Sequence, residues 1–350
     1  MIDFRYHLVS IVAVFLALAV GVVLGSATLN GPITKELRKS VVALRHEENN
    51  QISLNQSLRH QNKSDQQFAQ AAAPVLLNHL LAGEQVVLVR APGAPGDVTN
   101  GVTQALTQAG AKVTGQVNVQ AMFFDPKSAT RAALSLLTQR LTPTGVTLHS
   151  GTVQSQAAQL IASAILTQDG IGQPVAGSQD SAGAAILSGF ASGGFLSVSA
   201  PSIVRATLAV VIIPASPPAA NDSSQTSQGL VTLSKQLNGA AQAIVVTGSI
   251  NGSGPGSAIE MIRSASNTGG LSTVDNGDTA SGQIVVAQAL YELLVKAKPG
   301  SYGIGSGASA VGPSPMPTPS PSVSPSGTAG GATAAQRTAR PSASPSASRS

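Results

Sequence analysis

The sequence contains no cysteine and no tryptophan, and of its 350 residues only 3% are aromatic and 10% charged. Without cysteine there is no disulfide framework, no zinc finger and no thiol nucleophile. So few aromatics exclude a carbohydrate or nucleic-acid reader built on stacked rings. The charged fraction lies well below the about 25% of ordinary globular domains, which excludes a highly charged disordered chain. Alanine, glycine, serine and threonine fill the gap, so the core must be packed from small and aliphatic side chains. The length suffices for one or two domains.

The net charge of +5 is unevenly placed. Residues 1–69 carry seven Lys/Arg and five Asp/Glu, residues 70–310 carry ten of each, and residues 311–350 carry three Arg and no acid. The central part is therefore neutral. The sequence pI near 9.7 belongs to the two ends and does not argue for a nucleic-acid partner.

The longest apolar run is at the start. No charge occurs from Leu8 to Thr34, and the run LVSIVAVFLALAVGVVLGSATL covers 22 residues. As a helix it is about 33 Å long, against about 30 Å of bilayer hydrocarbon. Gly25-Ser26-Ala27 could serve as a cleavage site, but the apolar run is longer than that of a signal peptide. A retained anchor is expected over residues 8–30, after a short tail at 1–7. Arg5 precedes the run, whereas Lys35, Arg38, Lys39 and Arg45 follow it. A simple positive-inside count would put the rest of the chain in the cytoplasm, but long domains translocate largely regardless of flanking charge. The domain is expected outside.

Residues 31–68 turn to Gln, Asn, Lys, Glu and Leu, with no Gly or Pro after Pro32. This reads as a helical stalk. A heptad frame places Val41, Glu48 and Asn55 at a, and Leu37, Leu44, Gln51 and Leu58 at d. A coiled coil joining two copies and a single helix packed on the domain both remain open. His46 and His60 fall at f, about 21 Å apart, and are expected on the surface.

Residues 69–308 read as an α/β domain of βαβ units with a parallel sheet. AAAPVLLNHLLAG reads as a helix ending at Gly83, followed by the strand Gln85–Arg90, a helix from Asp97 to Gly110 and the strand Lys112–Val119. Strands are also expected at Leu208–Ile213, Ala243–Thr247 and Leu271–Val274. Helices are expected at 128–141, 154–166, 180–190, 225–237, 257–266 and 284–296. Residues 309–350, rich in Pro, Ser and Ala, are expected to be a disordered basic tail.

No local motif announces catalysis, a cofactor or a metal, and the chain is expected not to be an enzyme. The loop 92–97 is not a G-x-G-x-x-G, and 252–257 lacks the lysine of a P-loop. Both read as turns, with Ser253 in an exposed position. His79 reads as packed within an apolar helix and His149 as a strand-end residue. Asp275 and Asp278, in STVDNGD, lie beyond a strand end, where open α/β sheets place ligands. Capping and turn formation explain them equally well. Met122, Met261 and Met316 are isolated, no His–His or His–Met pair lies within four residues, and 298–306 holds no histidine.

Three stretches carry a family resemblance: HLVSIVAVFLALAVGVVLGSATLNG (7–31), LLAGEQVVLVRAPGA (80–94) and LSTVDNGDTASGQIVVAQALYELLVKAKPGSYGIGSGA (271–308). Up to about Ala310 the chain resembles the actinobacterial family named for mycobacterial copper transport protein B (MctB). The resemblance implies a membrane-anchored cell-envelope protein linked to copper homeostasis or export. It also implies copper ions as cargo, and a place in the outer envelope layer. The residues alone also fit a non-transport scaffold or regulator that meets an envelope protein through its stalk and domain.

Overall fold

The computed structural model describes residues 4–29, 32–168, 176–178, 180–199, 203–214, 223–265 and 270–315. Helix α1 (Phe4–Leu29) is followed by the 46-residue helix α2 (Pro32–Leu77). Phe4–Ser26 is long and apolar enough to cross a membrane, and none of it is buried against the rest of the chain. From Lys35 to Asp65 every residue of α2 is exposed, so this stretch packs on nothing in its own chain.

The sequence reading gives a stalk helix over 31–68 and a separate domain helix ending at Gly83, but the two are one continuous helix. It stops instead at Leu77, three residues after Pro74, which removes a backbone donor from the ladder. Turns follow, and they fold Leu80 and Leu81 into the core, where Leu81 N–H donates to Ala109 O at 2.8 Å. His79 is therefore not a packed helical residue: it is exposed, with φ of 54°.

The domain holds a seven-stranded sheet in the order β3-β2-β1-β4-β5-β6-β7. Its strands are β1 (Gln85–Arg90), β2 (Lys112–Val119), β3 (Leu196–Val198), β4 (Leu208–Ile212), β5 (Ala243–Thr247), β6 (Ser272–Val274) and β7 (Ser301–Tyr302). All pairings are parallel except that of β2 with the edge strand β3. The strands β1, β4 and β5 are apolar runs because both sheet faces are covered.

The alternation within those runs sorts the two cores. Val86, Leu88, Leu208, Val210, Ile212 and Val245 face one side, together with α3 (Gly96–Gln108), α9 (Ala280–Lys296) and the end of α2. Val87, Val89, Ala209, Val211, Ile244 and Val246 face the other, where a second core gathers Leu134, Ile161, Phe190, Leu230 and Ile259. Those five come from α4 (Ser128–Leu141), α5 (Val153–Ile165), α6 (Ser181–Ser192), α7 (Ser223–Asn238) and α8 (Ala258–Ser264). Each fully buried aliphatic side chain contributes about 1.5–3 kcal/mol.

Local sequence explains the helix starts. Thr152, Ser257 and Thr279 cap α5, α8 and α9 through their hydroxyls, and Asp180 caps α6 through its carboxylate. Burial of Ile284, Val286, Ala287, Leu290 and Leu293 makes α9 the main helix of its face. The residues around His149 form no strand. They are an irregular connection between α4 and α5, in which His149 meets Gln159 at 2.8 Å. At the C-terminal end, Ser309 N–H donates to Ser301 O at 2.7 Å and Gly303 N–H to Ala310 O at 3.0 Å. The rest of the expected tail, from 316 on, lies outside the described residues.

Candidate functional site

Of the residues singled out in the sequence, Asp275, Asp278 and Ser253 lie where β5 and β6 end. Asp275 follows β6 directly and is fully buried. Its Oδ1 accepts from Ile304 N–H at 2.9 Å, and its Oδ2 accepts from Gly305 N–H at 2.9 Å and from Arg263 Nη1 at 2.8 Å. Arg263 also donates to Thr273 Oγ1, Ser306 O and Tyr302 O. One carboxylate and one guanidinium thus pin the segment 302–306 across the sheet end. Gly303, with φ of 128°, and Gly305 come so close to Asp275 that a Cβ at either would collide with its carboxylate.

The adjoining Tyr302 is also committed: its hydroxyl donates to Glu292 on α9, itself buried, with Lys296 and Lys298 at 3.9 and 3.8 Å from the other carboxylate oxygen. Burial and the Glu292 carboxylate push the Tyr302 hydroxyl well above the ordinary phenol range. Asp275 therefore anchors the C-terminal loop, its two oxygens engaged by that loop and by Arg263.

Asp278 differs. Its side chain is open to solvent, yet partial desolvation raises its carboxyl above the usual range, and the charges of Asp97 and Asp275 raise it further. Asp97 sits in the first turn of α3 and accepts from its neighbour Val98 N–H at 2.9 Å. Near this strand end, Thr247 Oγ1 and Asn276 Oδ1 are buried without a partner among the described residues.

Both glycine- and proline-rich loops are closed by the chain itself. Arg90 Nε donates to Ala94 O at 2.8 Å across the first. In the second, Ser257 accepts from Glu260 N–H, while the Glu260 carboxylate accepts from Gly256 N–H, a reciprocal cap. Ser253 is not exposed as expected. It is 3% accessible, with its hydroxyl donated to Ile250 O at 2.7 Å, because the 303–306 loop lies over it.

The other candidates stay apart. His46 and His60 are exposed on α2, about 21 Å apart, and His79 and His149 are exposed on two separate connections. Met122 is 45% exposed, Met261 is half-buried, and Met316 lies outside the described residues. Among the described residues no group of three or more His, Cys, Asp or Glu is close enough to hold a metal ion.

Sequence reasoning missed Arg263, Glu292, Tyr302 and Gln66. The signal for Tyr302 was an aromatic residue set between Gly300 and Gly303, whereas Arg263 and Glu292 carried no local signal. Gln66 had none: from α2 its Oε1 accepts from Ala280 N–H at 2.7 Å, closing the first turn of α9. Below that bond, Gln70, Ala73, Gln104, Gln108 and Gln283 line a cleft of about 210 Å³ between α2, α3 and α9. The stalk is thereby joined to the helix that carries Glu292.

Comparison with known proteins gives one consistent result. A family described as "Copper transport outer membrane protein, MctB" matches residues 1–313. The protein named "Copper transporter MctB" of Mycobacterium tuberculosis (strain ATCC 25618 / H37Rv) is 27% identical over 314 residues, covering 89% of this chain and 99% of that protein. Its namesake in Mycobacterium leprae (strain TN) is 30% identical over 319 residues, with the same coverage. Nothing in these matches favours a non-transport scaffold or regulator. The chain belongs to the MctB family.

Proposed function

We propose that this member of the MctB family is an envelope protein of copper homeostasis, held in the membrane by α1 with its α/β domain outside the cytoplasm. The observation that carries this reading is the family match over residues 1–313, reinforced by relatives named as copper transporters that align along 99% of their length. The apolar helix Phe4–Ser26 supports anchoring: its 23 residues make about 35 Å of helix, enough for the hydrocarbon core.

Two considerations support the outward domain. A long domain that follows a single apolar helix translocates largely regardless of flanking lysine and arginine. The family description refers to the outer membrane. We read the chain as non-catalytic. Among the described residues one helix is long and apolar enough to span a membrane, and a single helix encloses no path for an ion by itself.

Growth of a deletion strain under added copper tests the role: copper sensitivity restored by the full chain supports it, and unchanged tolerance removes it. Sidedness is tested at Ala133, exposed on α4. Ala133→Cys should react with an impermeant maleimide on cells whose outer layer has been made permeable. Labelling only after lysis of the inner membrane would place the domain in the cytoplasm.

A further inference from the structure

The first turns of the stalk carry a basic face that the domain does not use. Lys35, Arg38, Lys39, Val42, Arg45 and His46 recur at spacings of three and four, so they share one side of α2. All six are exposed. Arg38, Lys39, Val42, Ala43 and His46 line one shallow depression, in which Val42 and Ala43 supply apolar surface between the cationic heads. Among the described residues only Lys39 of the six has an ion-pair partner, Glu36 at 3.1 Å, and that pair is itself solvent-exposed. Leu37 and Leu44 fall on the opposite side of the helix, and Val41 flanks the basic face beside Arg45. A cluster of basic residues close to the end of a membrane helix is the pattern that attracts anionic lipid headgroups.

Position in the chain supplies the partner. α2 opens at Pro32, while the apolar α1 ends at Leu29. We propose that the opening turns of α2 lie along the membrane surface and bind anionic lipid headgroups through Lys35, Arg38, Lys39 and Arg45. The proposal rests on the reading of α1 as a membrane-spanning helix. Orientation follows from reach. The four charges span about 15 Å of helix. With α2 upright, Arg45 stands about 24 Å beyond the end of α1, well past a screening length of about 8 Å. All four meet the headgroups only when these turns run close along the bilayer. The same use explains a cluster of basic residues on the side that the proposed topology places outside.

The test uses the full chain in lipid nanodiscs, of phosphatidylcholine alone or with about one-third phosphatidylglycerol, and reads amide hydrogen exchange over residues 35–46. Exchange should be about tenfold slower or more in the anionic discs. The difference should vanish in about 0.5 M salt and in the variant K35Q/R38Q/K39Q/R45Q. Arg45→Gln alone should lose part of it. Equal exchange in the two lipids overturns the proposal while leaving the anchor in place, as does a difference abolished by Lys35→Gln but untouched by Arg45→Gln, the signature of an upright stalk. A chain that fails to enter the discs removes the anchor reading, and this proposal with it.

Discussion

Replacing Asp275 with asparagine is the most informative single perturbation of the domain. The side chain keeps its shape but loses its charge, and one of its oxygens becomes an NH₂ group. Three donors now converge on the carboxylate: Ile304 N–H, Gly305 N–H and Arg263. In Asp275→Asn at least one of them meets a donor instead. The Arg263 side chain, only 4% exposed, is left without its counter-charge. Removing one partner of a buried ion pair costs about 3–5 kcal/mol. For a domain of this size each kcal/mol moves the midpoint by about 2–4 °C, so a fall of about 6–20 °C is expected. Thermal unfolding of the full chain in detergent, read by proteolytic susceptibility, measures it. Arg263→Met provides the control: the double variant D275N/R263M should be less destabilised than the sum of the two single variants by about 1 kcal/mol or more, since it strands no charge. A loss below about 1 kcal/mol in Asp275→Asn would show that the carboxylate does not hold the 302–306 loop.

Ala297 ends α9 in the left-handed region, at φ of 48°. Ala297→Gly should therefore stabilise the domain by about 0.5–1 kcal/mol, measured by the same unfolding assay. Asp278 titrates above its ordinary value in the folded chain, so folding favours its protonated form. Its ionised form weakens the fold as pH rises through that raised value, and Asp278→Asn should be more stable than the native chain at pH 7, with the difference disappearing below about pH 4. Titration of Cu(I) into the full chain against a competing chelator should find no site tighter than micromolar, because cysteine is absent and the histidines and methionines stand apart.

The parallel sheet was legible because QVVLVR, LAVVII and AIVVT are short, rich in β-branched residues and bounded by breakers, as strands covered on both faces are, and because Thr, Ser and Asp stand where helices begin. The edge strands β3 and β7 were not. They are three and two residues long, flanked by glycine and serine, and exist only because a neighbouring strand offers an open edge. Asp275 could be placed at a strand end, but not given a role, since Arg263 and Gly305 reach it from 12 and 30 residues away. The burial of Ser253 was hidden for the same reason: a loop distant in sequence covers it. His79 was misplaced because apolar residues continue past Leu77 after the helix has ended, filling the core from turns. The bond from Gln66 to Ala280, across 214 residues, has no local trace.

The copper role itself is tested most directly by the copper content of cells grown under copper load, measured by elemental mass spectrometry. A deletion strain should accumulate more copper than its parent. The full chain should restore the parental level, and a chain lacking residues 4–29 should not. Equal copper in the deletion strain and its parent would contradict the account.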